Sequence, residues 1–100
     1  MEGYRVLAAK NGNEGIAMAS THRPDLIIAE IMMGGMDGFD LLHRINTTPK
    51  LNAIPFVFCT TRCEKSDKHK ALQLGARDYI TKPFELEYLF KAAKKLIIHD

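Results

Sequence analysis

A carboxylate, a hydroxyl and an ammonium close three successive apolar runs of this chain. Glu30 follows Leu26-Ile27-Ile28-Ala29, Thr60 follows Phe56-Val57-Phe58-Cys59, and Lys82 comes just after Tyr79-Ile80. If the runs are strands of a parallel sheet, the three groups lie at its carboxyl end, where open α/β folds place their sites. A second set, Cys59, Cys63 and His69, carries metal-ligating side chains. Its spacing lacks the paired CxxC pattern of zinc sites. Cys59 ends an apolar run, where cysteine behaves as a small hydrophobe, and Cys63 falls in the loop beyond, so no metal is expected there. No Ser, Cys or Lys sits in a recognisable nucleophile motif, and no glycine-rich phosphate cradle follows a strand. The chain does not read as an enzyme.

The elements that must position these groups alternate in type. Arg5 to Ala9 is a short strand candidate, broken by Asn11-Gly12, and Asn13 to Thr21 suits a short helix. His22-Arg23-Pro24 stops that helix, because proline cannot continue the hydrogen-bond ladder. Asp25 to Ala29 is the next strand. Gly38 to Ile45 carries Phe39, Leu41, Leu42 and Ile45 at helical spacing and ends at Thr47-Thr48-Pro49. Ile54 to Cys59 is a third strand and Ser66 to Leu74 a helix capped by Gly75. Tyr79-Ile80 is a fourth strand, and Glu85 to Ile98 reads as the longest helix, striped by Leu86, Leu89, Phe90, Ala93, Leu96 and Ile97. Apolar strands alternating with crossover helices predict an α/β fold, a parallel sheet of about four strands with helices on both faces.

Two stretches carry a resemblance. Ala29 to Gly38, AEIMMGGMDG, is similar to the loop commonly written LDxMMPGMDG, and Gly75 to Phe84, GARDYITKPF, is similar to GAxDYLxKPF. Both belong to the receiver domains of two-component response regulators, and the likeness extends over essentially the whole chain. It implies a flavodoxin-like fold and a role in phosphorelay signalling. Glu30 then stands where the family carries its phosphorylated aspartate. Thr60 takes the place of the Ser or Thr that bonds the phosphoryl group, and Tyr79 that of the aromatic whose rotamer reports activation. Lys82 matches the lysine that pairs with the phosphoaspartate, and Pro83 the proline that often follows a cis peptide bond.

Two departures from the family pattern govern the functional reading. The extra methylene of Glu30 moves its carboxylate outward by about 1.5 Å, roughly a C–C bond length. Sites of this kind tolerate displacements of about half an ångström, so in-line attack on a phosphodonor is expected to fail. Glu30 can instead reach toward Lys82, either as a permanent imitation of a phosphoaspartate or as an inert ion pair. The second departure is at the front. Complete receivers begin with a strand and an acidic pair that holds Mg²⁺, whereas this sequence starts level with the family's second strand. Met1-Glu2-Gly3 leaves no room for those acids. Only the backbone carbonyl of Met32 remains among the usual Mg²⁺ ligands, too few for octahedral oxygen coordination, and no cofactor is expected.

The family sheet order is 2-1-3-4-5, so the strand lacking is central. Either a gap separates Arg5–Ala9 from Asp25–Ala29, or the two pair directly. An uncovered edge and apolar patch favour association, which predicts a homodimer or a required partner chain.

Composition narrows the partners. One hundred residues, 46% hydrophobic and 26% charged, make one soluble domain, read here as a single receiver-like unit over residues 1–100. A net charge of +2 is too small to draw nucleic acid or an anionic membrane by bulk attraction. No run approaches the roughly 20 apolar residues that span a bilayer, and the start lacks a signal peptide's regions, so a cytoplasmic location is expected. Lys65, Lys68 and Lys70, with Lys91, Lys94 and Lys95, form a basic face. The ordinary reading is a solvated surface. The sharper one is an output face for an acidic protein partner, a histidine kinase or another signalling protein, since no nucleic-acid-binding motif accompanies the lysines. Asp37 and Asp40 read as favourable charge at a helix start. The leading expectation is a degenerate receiver that works by protein contact without phosphorylation, with Glu30, Thr60 and Lys82 as its remnant site. A genuine phosphoacceptor within a longer chain, and a purely structural dimerisation module, are the alternatives.

Overall fold

The computed structural model describes residues 5–34, 36–60, 65–81 and 96–99. Its elements are β1 (Arg5–Asn11), α1 (Gly12–His22), β2 (Leu26–Gly34), α2 (Gly38–Asn46), β3 (Phe56–Thr60), α3 (Lys65–Gln73), β4 (Asp78–Thr81) and β5 (Leu96–His99). All strand pairs are parallel, in the order β4-β3-β2-β1-β5.

Local chemistry sets the helix ends. The Asn11 side chain accepts from the amides of Asn13 and Glu14 at 3.0 and 3.3 Å, which caps α1. Arg23 closes that helix in the left-handed region at φ 47, its amide bonding the Ala19 carbonyl at 2.9 Å, before Pro24 ends the ladder. Asp37 caps α2 by accepting from the Asp40 amide at 2.9 Å, so the helix-start reading of this aspartate holds. After α3 the Gly75 amide reaches the Leu72 carbonyl and the Ala76 amide the Ala71 carbonyl, at 3.1 and 3.0 Å. That reverse turn requires the φ of +103 that Gly75 adopts without penalty.

The sheet resolves the question left by the first strand. β1 and β2 pair directly, with Val6 opposite Leu26 and Ala9 opposite Ala29. The C-terminal end corrects an expectation. Leu96 to Ile98, read as the end of a helix, belongs instead to β5, which pairs with β1 from Arg5–Leu96 to Ala8–His99. A run of Leu followed by two Ile favours a strand, and the outer ladder groups of β1 need partners that a helix cannot supply. The rest of the helix expected over Glu85–Ile98 lies outside the described residues.

One sheet face carries Leu7, Ala9, Ile27, Ala29, Phe56 and Phe58 in a core with Ala19 of α1, Leu41, Leu42 and Ile45 of α2, and Ala71 of α3. Alternate residues Val6, Ala8, Ile28 and Cys59 form a second buried cluster on the other face, the period-two pattern of strands buried on both sides. Cys59 is 1% exposed, in keeping with its reading as a small hydrophobe. The three described helices all contribute to the first cluster; the expectation of helices on the second face falls on residues outside those described.

Candidate functional site at the carboxyl end of the sheet

The strand registers bring two of the expected site residues to one edge. Ala29 pairs with Phe58, so Glu30 emerges one step beyond the last paired residues of β2 and β3, and Thr60 one step further on β3. Thr60 pairs in turn with Thr81, the residue before Lys82. Glu30 is half-buried and Thr60 is buried. Lys82, Pro83, Lys91, Lys94 and Lys95 lie outside the described residues, as does Cys63.

Past Ala9–Ala29 the β1–β2 ladder shifts, and its next pair is Asn11 with Gly34. Glu30, Ile31, Met32 and Met33 thus stand opposite Lys10 alone, a bulge of the sort that redirects side chains beside functional sites. Within it Ile31 is buried while Met32 is 71% exposed. Gly34 takes part in the ladder through its pair with Asn11.

Two features of this edge escaped the sequence reading. The first is Gly38, at the start of α2. A Cβ there would collide with the Glu30 carbonyl oxygen and come within 2.6 Å of the Phe58 ring. The helix therefore seats against the backbone of Glu30 only because residue 38 has no side chain. A glycine directly after a capping aspartate, where a better helix former would serve, was the available signal. The second is an aromatic column. The Phe58 ring lies 5.1 Å from Phe56, 5.2 Å from Phe39 and 6.0 Å from Tyr79, all in tilted or edge-on geometry. Such pairs add to simple burial. Tyr79 is 6% exposed, packed inward beside Phe58.

The family likeness implies Mg²⁺, so the donor set matters. Among the described residues no three His, Cys, Asp or Glu side chains gather to hold a metal. β1, adjoining Glu30, ends in Lys10 and Asn11, a cation and an amide whose oxygen already caps α1. These residues do not fit a hard divalent cation, which asks for several oxygen ligands. Among the described residues no helix is long and apolar enough to cross a membrane.

Comparison with known proteins agrees with this architecture. The response regulator receiver domain family matches residues 1–94. Protein PilH of Pseudomonas aeruginosa is 36% identical over 95 residues, which cover 95% of this chain and 78% of that protein. Response regulator PleD of Caulobacter vibrioides is also 36% identical over 95 residues, but the match spans 21% of its length. Among solved structures, chemotaxis protein CheY4 of Vibrio cholerae superposes with a TM-score of 0.79 at 23% identity, over 92% of this chain and 97% of that one. That likeness shows the flavodoxin-like receiver fold. On the sequence match and the parallel sheet together, the chain belongs to the response regulator receiver domain family of two-component signalling.

Proposed function

We propose that this receiver domain is a cytoplasmic module that signals through protein contact without passing through a phosphoaspartate. The observation that carries the reading is the place of Glu30, at the family's acceptor position, in a bulge whose neighbouring strand ends in Lys10 and Asn11. A glutamate extends its carboxylate by about one C–C bond, and phosphoryl transfer depends on placement and a metal clamp more than on covalent chemistry. Glu30 supplies a standing negative charge where the family makes one by phosphorylation. The partner is a protein, a histidine kinase or another signalling component, and a second copy of the chain is the expected dimer mate. Nucleic acid is not contacted directly.

A competing reading, a working phosphoacceptor within a longer protein, draws support from relatives such as PleD, of which the match covers a fifth. Titration with Mg²⁺, followed through the backbone amide signals of Glu30 and Thr60, separates the two. The proposal expects those signals to stay in place at physiological Mg²⁺. A saturable shift centred on them would favour the phosphoacceptor. Light scattering tests the dimer, and a monodisperse monomer would remove that part of the proposal.

A further inference from the structure

Helix α3 is held on the sheet by little apolar surface. Of its residues only Asp67 and Ala71 are buried, while Leu72 and, just past the helix, Leu74 are 44% and 40% exposed. A surface helix ordinarily docks through an apolar stripe of three or four residues per two turns. Among the described residues, polar and charged contacts therefore take a larger share in fixing its position. One fastening lies at the C-terminal end, where the Asn46 side-chain amide donates to the Leu74 carbonyl at 2.6 Å. Another lies within the helix. The Nζ of the exposed Lys70 stands 4.3 Å from the centroid of the Phe39 ring, well inside the range of a cation–π contact.

Phe39 is no isolated ring. It is 8% exposed, rises from the first turn of α2, and touches Phe58, which in turn touches Tyr79. The ammonium of α3 thus rests on the outer end of the aromatic column that reaches β4 beneath the site. A lysine lying flat on the surface gains nothing from such a placement, whereas one over a ring face gains an attraction that its charge alone provides.

We propose that Lys70 is a positioning residue, a cationic latch that pins α3 to α2 through the face of Phe39. The latch sets how readily α3 leaves the sheet while the rest of the core stays closed. It does not depend on whether Glu30 accepts phosphate.

The test is native-state amide hydrogen exchange on three variants of the full chain. Lys70→Met keeps the aliphatic stem and removes the charge, and Lys70→Arg keeps the charge. Phe39→Leu removes the ring. Loss of a partly exposed cation–π contact should speed exchange across Lys65–Gln73 by about two- to fivefold in Lys70→Met. Lys70→Arg should match the parent chain, and α1 should exchange at an unchanged rate in both. The ε-methylene proton signals of Lys70 should also lie upfield in the parent and return to ordinary values in Phe39→Leu. Two results would overturn the proposal. Exchange in α3 of Lys70→Met equal to the parent would show that the stem alone, or nothing, holds the helix. An equal rise in α1 and α3 would show a change in global stability and no latch.

Discussion

Helices α2 and α3 each hold nine residues and flank the same strand, β3, yet they are secured differently. α2 buries Phe39, Leu41, Leu42 and Ile45, and side chains of that size each contribute about 1.5–3 kcal/mol when removed from water. α3 buries one apolar side chain, Ala71, beside the polar Asp67, and its contacts among the described residues include a hydrogen bond, a reverse turn and a cation over a ring. Interactions of the second kind contribute about 0.5–1.5 kcal/mol each. Burial so unequal produces a rigid helix beside the candidate site and a lightly held one next to it. Weakly docked elements are the ones that open first, so of these two helices α3 is the better placed to respond to a partner.

Substitutions can break this contrast. Leu42 is fully buried, and Leu42→Ala should cost about 2–5 kcal/mol in chemical denaturation, enough to threaten folding outright. Gly38→Ala forces a methyl against the Glu30 carbonyl and the Phe58 ring. A loss of about 1–3 kcal/mol is expected from such overpacking, with changes in amide shifts concentrated at Glu30. Asn46→Ala leaves the Leu74 carbonyl without its side-chain donor. It should cost about 1 kcal/mol, with hydrogen exchange rising in α3 and unchanged in α1. At the far end of the scale, Leu72→Ala removes an exposed side chain and should stay within about 0.5 kcal/mol of the parent. A destabilisation of Leu72→Ala as large as that of Leu42→Ala would erase the distinction between the two helices.

Much of the architecture was legible because it is local. The apolar stripe of Phe39, Leu41, Leu42 and Ile45 announces α2, Asp37 announces its start, and Gly75 announces the turn after α3. The parallel sheet follows from apolar strands separated by helical crossovers. What escaped was long-range. The strand at Leu96–His99 carries the tail of a helical stripe, and only its pairing with Arg5–Ala8, at the other end of the chain, makes it a strand. The bulge at Glu30–Met33 depends on the register of two strands, which hydrophobic period cannot reveal. Lys70 and Phe39 meet only once two crossovers have placed their helices side by side. At the site, Glu30 and Thr60 are legible in the sequence through the resemblance to receiver motifs together with their place after apolar runs, and the strand registers bring them to one edge. Gly38 was overlooked because its importance lies in the space it leaves.

The central proposal, that this domain works without passing through a phosphoaspartate, is most directly tested by offering the chain a small phosphodonor. The full chain is incubated with acetyl phosphate and Mg²⁺, and its intact mass is taken under mild conditions. The account predicts an unchanged mass. A stoichiometric gain of one phosphoryl group, lost in Thr60→Ala, would contradict it.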